Sequence, residues 1–562
     1  MKFIKLQGQL ELGRSVTTIA TLFEHKTPLT HVNYAPYFSF RLLIFKLMSK
    51  QTLTHHLIKS RRNSDHVTAH QTMPTSPSTL RAEFLKLAVL RELRQQGRIA
   101  TPLSLMNLTW FAKTTVTTAF LGRAGDLQLA GGSLALTFAN VTGFSVLAGL
   151  CAAVEPICGR AHGAGNCCLL RRTLMMAVLL LLSASLPIAF VWLNVDRILL
   201  FCGQQKEIVF LAKKYVLCLL PHLAVTSFLS PLKAYLSSQG VTLPALFSSA
   251  MALALHLPLS LVLSRAKGLE GIAMAVWISD LSAAVMLALY VCITETRKKG
   301  DQSQGIWWWG CCWKQSPPEW ARLLRLAAPC CLTSCLEWWC YEILILLTGR
   351  LPDAKRTLAV ITVVLNFDYL LFSFMSALAS SASVRISNEL GAGRGPAAQS
   401  SAYVSLATGV AGGVLSSAAT AAARRWWGRV FSRDGGTVAG VRKAMLVMAA
   451  VEVVNFPVTV SGGIVRGMAR PWLGTYASAG GFYLVGLPLA AVLGFKAKLG
   501  LAGMLLGFLI GGVVSEVLML VFLGFVHWER EAGKAQRFAG VTAEEGGGNV
   551  GFGGELMNGN RA

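Results

Sequence analysis

Twelve long apolar stretches restrict what this chain can fold into. They run at about 99–121, 129–155, 168–194, 209–235, 241–264, 269–292, 321–349, 357–385, 399–422, 443–465, 471–495 and 501–527. Each is long enough, at about 1.5 Å per helical residue, to cross a hydrocarbon layer of about 30 Å. In lipid no water satisfies the peptide N–H and C=O groups, so a spanning segment must bond them internally, as a helix does. The sequence therefore predicts an all-α integral membrane protein with twelve transmembrane helices. Composition agrees, since only 14% of the 562 residues are charged, against about a quarter in soluble proteins.

The net charge of +25 does not point to nucleic acid. Basic residues punctuate apolar runs instead of concentrating on a hydrophilic domain, so the partner they imply is membrane lipid. Residues 1–98 carry fifteen Lys and Arg against five acids. This composition suits a disordered cytoplasmic tail or an organelle transit peptide, and no folded structure is expected there. Residues 528–562 are polar and Gly-rich and are expected to form a second disordered tail. Lys and Arg beside the loops slightly favour the outside, but the basic tail reverses the balance and places the amino terminus in the cytoplasm.

An internal repeat divides the chain. A shift of 227 or 228 positions aligns Pro102 with Pro329, Gly122-Arg123 and Asp126 with Gly349-Arg350 and Asp353, Gly163-Ala164-Gly165 with Gly391-Ala392-Gly393, and Gly240 and Pro244 with Gly467 and Pro471. Ordered matches at helix ends indicate a duplicated six-helix unit. Because six is even, both halves enter the membrane from the same side and form two pseudo-symmetric lobes around a central cleft. The boundaries are 99–292 for the N-lobe and 321–527 for the C-lobe. A cytoplasmic linker, 293–320, lies between them, with Arg297, Lys298 and Lys299 followed by Trp307, Trp308, Trp309, Trp313 and Trp320 suited to the headgroup layer.

No GxxxxGK[ST] loop and no HExxH motif is present, so neither ATP hydrolysis nor metal chemistry is indicated. The thirteen cysteines lack metal or disulfide spacing and read as packing residues, with palmitoylation an alternative for the loop pairs. The chemistry lies in carboxylates inside apolar runs: Glu337 and Glu342 in the seventh span, Asp368 in the eighth, Glu452 in the tenth, and Asp280 and Glu516 in the sixth and twelfth. A charge at mid-bilayer costs at least about 2.5 kcal/mol, so each needs a partner, water or a proton. Glu337 and Glu342 lie about 140° apart around their helix, so one can face a cavity while the other faces its own lobe. Isolated acids such as Asp280 and Glu516 read more simply as helix-to-helix hydrogen-bonding residues. Trp338, Trp339 and Tyr341 are either packing aromatics or cation-binding faces. Lys113 pairs with an acid or snorkels, and His222 and His256 read as satisfied packing residues.

At these residues the chain resembles the multidrug and toxic compound extrusion (MATE) transporters, in their plant detoxification branch. The resemblance covers about 99–527. It rests on the run from Phe120 to Gly165, opening F-L-G-R-A-G-D-L-Q-L-A and closing E-P-I-C-G-R-A-H-G-A-G, on C-L-E-W-W-C-Y-E at Cys335 to Glu342, S-N-E-L-G-A-G at Ser387 to Gly393, and R-G-M-A-R-P at Arg466 to Pro471. It implies a secondary antiporter, not an enzyme, that exports organic solutes in exchange for H+, or alternatively Na+, with no cofactor. Glu337, Glu342 and Glu452 match the family's coupling acids, and Asp368 stands where a small polar residue is usual. Lys113 replaces a usual Arg and His162 a usual Phe. Trp338, Trp339, Tyr341, Asn366, Asn455 and Lys113 are the candidates to line the substrate cleft. Pro102, Gly122, Arg123, Glu155, Pro156, Gly163, Gly391, Arg466, Gly467 and Pro471 carry the structural motifs. The expected partner is a cationic or amphipathic organic solute, handled by a monomer in the plasma membrane or, alternatively, the vacuolar or another endomembrane. Two rival readings are a lipid flippase of related fold, which requires a strongly basic cleft, and an inactive scaffold or receptor.

Overall fold

The computed structural model describes residues 77–297 and 315–540, with side chains from residue 86 onward. Among the described residues there are twelve long helices and no strand: α1 (Pro77–Ala124), α2 (Asp126–Gly163), α3 (Cys167–Leu193), α4 (Lys206–Ser238), α5 (Leu243–Lys267), α6 (Leu269–Arg297), α7 (Pro317–Thr348), α8 (Ala354–Gly391), α9 (Gly395–Ala423), α10 (Gly435–Gly467), α11 (Pro471–Lys496) and α12 (Gly500–Gly524). Eleven are long and apolar enough to cross a membrane on those grounds alone. The remaining one, α1, has the length, but Asn107, Lys113 and neighbouring threonines dilute it. Large apolar side chains point outward, among them Leu186, Leu415 and Leu484 at 73%, 71% and 77% exposed, a surface that calls for lipid.

Helix ends follow local chemistry. Asn166 caps α3 by accepting a hydrogen bond from the Leu169 N–H at 2.9 Å, and Asp434 caps α10 through the Thr437 N–H at 2.7 Å. Ser316 and Glu319 form a reciprocal capping box at the start of α7. The repeat recurs in the backbone: Gly165 after α2 and Gly393 after α8 have φ of 73° and 74°, a left-handed conformation that favours glycine. Short helices, Val195–Phe201 and Trp427–Phe431, follow α3 and α9 at equivalent places.

Each lobe has its own core. One apolar cluster draws its members from residues 121–291 and a second from residues 340–508. The lobes meet where α2 and α8 cross with almost no side-chain spacer. A Cβ on Gly163 would stand 2.1 Å from the Asn388 carbonyl oxygen, and one on Gly391 would stand 2.3 Å from that of Arg160. Small residues allow this approach of backbones. The Arg160 guanidinium also donates to the Met468 carbonyl across the lobe boundary.

Both predicted tails need correction. Helix α1 starts at Pro77, so 77–98 is helical. Glu92 is buried there, accepting from Gln96 at 3.1 Å and Ser401 at 2.8 Å and pairing with Arg385 at 2.9 Å. A helix α13 (Trp528–Ala539) occupies the start of the carboxy-terminal tail. It buries Trp528, Ala532, Ala535 and Ala539 along one face. Glu531 of α13 pairs with Arg470 at 2.6 Å, and Asn166 of the N-lobe donates to the Ala539 carbonyl at 2.9 Å. Both segments escaped notice because their polar faces dominate composition, while a narrow apolar stripe at helical spacing is enough to dock them. The linker narrows to the stretch between Arg297 and Pro317; its Lys298, Lys299, Trp307, Trp308, Trp309 and Trp313, like 1–76 and 541–562, lie outside the described residues. Among the described residues ten cysteines are free, whereas Cys168 departs from the packing role and is disulfide-bonded.

Candidate functional site

The C-lobe holds a half-open pocket of about 620 Å³, a volume that includes the solvent space at its mouth. Its polar groups come from three helices: Glu337 and Tyr341 from α7, Asp368 from α8, and Asn455 and Thr459 from α10. Trp338, Tyr369, Phe372 and Phe508 form much of the wall. Trp338 stacks on Tyr369 with ring centroids 6.3 Å apart and meets Phe372 edge-on at 5.7 Å. Such walls offer π faces to a flat or cationic solute.

Proline places the α10 side chains. Pro457 interrupts the hydrogen-bond ladder inside α10. Gly413 of α9 lets the neighbouring backbone come close to the carbonyls of Glu452 and Val453, where a Cβ would sit 3.0 Å from each oxygen. Asn455, two residues before the proline, donates to the Tyr341 hydroxyl at 3.2 Å and approaches Asp368 Oδ1 at 3.5 Å. Glu452 is fully buried behind this wall with its carboxyl against that of Asp368. Neither Glu452 oxygen reaches a hydrogen-bond donor among the described residues.

The cavity thus gathers Glu337, Trp338, Tyr341, Asp368 and Asn455, and Glu452 stands in the layer behind them. The other candidates lie elsewhere. Glu342 does not line the cavity and lies near Tyr369, as the angular separation on α7 allows. Trp339 points toward the other lobe, and its indole N–H donates to the Val141 carbonyl at 3.3 Å. Asn366 does not line the cavity. Lys113 belongs to the N-lobe interior, where its Nζ pairs with Asp280 Oδ2 at 2.5 Å. His222 Nε2 meets the same oxygen at 2.9 Å. His256 is fully buried and bonded to Thr117 at 3.1 Å. Adding the repeat offset of 227 to 113 gives 340, and Cys340 lines the C-lobe cavity. At the equivalent place, one lobe holds an internal ion pair and the other an open space.

Among the motif residues, Glu155 is buried and faces Arg466 of the other lobe at 3.9 Å. Pro156 is buried beside it. A Cβ on Gly467 would meet the Ser383 carbonyl oxygen at 2.7 Å, and Pro471 opens α11 at its first turn. Pro102 lies within α1, whose end carries Gly122 and Arg123, the latter 5.9 Å from the Phe120 ring centroid. Of the two readings of Lys113 the structure takes the pairing with an acid, Asp280, which His222 also reaches; sequence reading missed the cross-lobe bond of Arg160, for which a charged residue in an apolar run was the available signal.

The MatE family model matches this chain twice, over residues 102–262 and 329–492. The chain belongs to the MatE family. The two matches begin at Pro102 and Pro329, which are 227 positions apart, so the repeat found within the sequence is the family's own unit. Protein DETOXIFICATION 56 of Arabidopsis thaliana is 51% identical over 473 residues, covering 84% of this chain and 95% of that protein. Protein DETOXIFICATION 48 of the same plant is 38% identical over 455 residues, covering 81% and 84%. The crystal structure of the eukaryotic MATE transporter AtDTX14 superposes with a TM-score of 0.74 at 27% identity, covering 80% of this chain and 100% of that one. An outward-facing multidrug resistance MATE transporter shares the fold with a TM-score of 0.69 at 14% identity, over 79% and 96% of the chains. This MatE chain is a multi-pass membrane transporter of the plant detoxification type, not an enzyme.

Proposed function

We propose that this transporter is a secondary antiporter that exports organic solutes in exchange for protons, its two lobes rocking between inward-open and outward-open states. The observation that carries the reading is the facing pair of buried carboxyls, Asp368 and Glu452, at the back of a cavity that also holds Glu337. Two neighbouring carboxylates, one fully buried and the other at the cavity wall, repel strongly unless one of them holds a proton. Such a pair takes up or gives off a proton as its surroundings change. Aromatic walls beside acids favour a cationic or amphipathic organic substrate. With the amino terminus in the cytoplasm, deprotonated acids capture substrate from the cytosol, and protonation on the opposite, more acidic side weakens its hold. Glu337, with Asp368 and Glu452, carries the coupling; Glu342 supports it from outside the cavity. We favour the plasma membrane over the vacuolar or another endomembrane, and H+ over Na+ as the coupling ion. A lipid flippase would need a basic cleft, and this cavity is acidic.

Proteoliposomes loaded with a fluorescent organic cation test the proposal under imposed H+ and Na+ gradients. The pH gradient is expected to drive efflux, and Glu337→Gln to abolish it. Efflux indifferent to pH, driven by Na+ instead, or unchanged in Glu337→Gln refutes proton coupling at this site.

A further inference from the structure

Helix α13 is built onto one lobe and ends in the other. Its first turns belong to the C-lobe: Trp528, Ala532 and Ala535 share an apolar cluster with Ile386 and Leu390 of α8 and Ala398 of α9, and Glu531 holds Arg470 of the α10–α11 turn at 2.6 Å. Glycine between α8 and α9 admits it, since a Cβ on Gly395 would meet the Trp528 carbonyl oxygen at 2.9 Å. The last turn leaves that lobe. Phe538 packs on a second cluster, to which α2 and α3 give Ala153, Ile157 and Met176 and α7 gives Leu323, Ala327 and Cys330, so its ring lies in the seam where the lobes meet. A guanidinium from each lobe is within cation–π reach of that ring, Arg160 of α2 at 5.7 Å and Arg322 of α7 at 5.4 Å from the centroid. Next to it Asn166, in the turn between α2 and α3, donates to the Ala539 carbonyl at 2.9 Å.

The geometry points to α13 as an autoinhibitory strap, fastened to the C-lobe and seated by its last turn on the N-lobe, that holds the seam shut on the face where α2 and α8 end. A contact made in only one of two states biases the equilibrium toward that state. When the lobes part on this face, the packing of Trp528, Ala532 and Ala535 and the Glu531–Arg470 pair travel with the C-lobe unchanged. What is lost is the seat: the Phe538 ring leaves Ala153, Ile157 and Met176, Arg160 loses a π face, and the Ala539 carbonyl loses its donor. Wetting the ring is the largest of these losses. In the orientation proposed above this face is cytoplasmic, so the strap favours the state that shuts out the cytosol, and capture of cargo from the cytosol requires the last turn to let go. Helices α2 and α8 also cross directly here, so releasing the strap shifts the balance between the states without dissolving the closed one. This inference rests on the rocking of the two lobes, not on the coupling ion or on Glu337.

Noncanonical fluorescent residues at Val241 and Trp472, exposed on the two lobes at the α4–α5 and α10–α11 ends, would report the separation of the lobes on this face in the full-length protein in nanodiscs. The wild type is expected to populate mostly the short distance. Phe538→Ala should raise the ratio of long to short distances about tenfold, the equivalent of about 1.4 kcal/mol, near the low end of what burying such a side chain brings. Phe538→Tyr should keep the wild-type ratio. Asn166→Asp keeps the oxygen that caps α3 but replaces the donor to Ala539 with an acceptor, and should raise the ratio several-fold. A photo-crosslinking side chain in place of Phe538 should join α13 to α2 or α3, and with Asn166→Asp it decides the matter if Phe538→Ala is not monodisperse. Distances that respond to cargo in the wild type yet ignore both substitutions refute the strap, as do crosslinks confined to the C-lobe. A single distance in the wild type and in Phe538→Ala alike, with cargo and without, refutes the rocking of the lobes itself.

Discussion

Replacing Lys113 with Met strands Asp280 inside the N-lobe. The carboxylate would keep His222 Nε2 at 2.9 Å and the neighbouring ammonium of Lys233, with its side chain only 17% exposed. Removing one member of a buried ion pair costs about 3–5 kcal/mol. Because His222 stays and the site is not fully sealed, the lower figure applies, about 3 kcal/mol. Asp280→Leu should cost at least as much, for it leaves Lys113 unpaired near a second ammonium, that of Lys233. The double variant Lys113→Met with Asp280→Leu removes the paired charges together but leaves Lys233 without that carboxylate, so it should lose about as much as Asp280→Leu alone and clearly less than the sum of the singles, a coupling larger than that of exposed pairs. The four corners can be compared by denaturant midpoints of the purified full chain in micelles. Additive losses, with the double variant as weak as the sum of the singles, would refute a pair that holds the lobe interior. Proton-driven efflux by the double variant should persist, because the cavity lies in the other lobe.

Two further outcomes follow from the same contacts. Gly391→Ala should cut transport at least tenfold while leaving the protein folded, since its Cβ would lie 2.3 Å from the Arg160 carbonyl oxygen and hold the lobes apart at their crossing; wild-type transport rates would refute the tight contact. At Glu92, burial raises the carboxyl pKa, but the hydrogen bond and charge of Arg385, with Ser401 and Gln96, outweigh it and hold the group below its usual 4.5. A lowered pKa means that the stabilisation is present above the ordinary carboxyl range and is lost as pH falls through the lowered value. The gap in unfolding temperature between wild type and Glu92→Gln should therefore be constant from about pH 7 to about pH 5 and close only in stronger acid; a gap that closes by pH 6 would contradict this.

The frame of the molecule was legible because length and apolarity are properties of single segments. Glycines and prolines at helix ends also exposed the duplication, since each is tied to a local backbone requirement. Glu337 was legible for a related reason, as a carboxylate in an apolar run has few uses. Contacts between distant segments were not. Nothing near Lys113 announces Asp280, and Glu92 looks like a solvated charge until Arg385, 293 positions away, is placed beside it. Tyr369 and Phe372 on the cavity wall have the same local signature as lipid-facing Phe190, which is 69% exposed. Helix α13 did leave a trace, an apolar stripe at Trp528, Ala532, Ala535 and Ala539 within a polar stretch, but Gly-rich composition downstream masked it.

The contrast between an ion pair inside the N-lobe and a pocket at the equivalent place in the C-lobe bears on how such a chain can diversify. A duplicated unit begins with two equal interiors, and both must be kept watertight while the halves move. Here one half pairs Lys113 with Asp280 in its interior, whereas the other keeps a pocket at the equivalent place. Substitutions that retune cargo can then accumulate around the half with the pocket alone, with its separate core absorbing the strain. A library confined to the walls formed by α7, α8 and α10 should yield altered cargo more often than one spread over both halves.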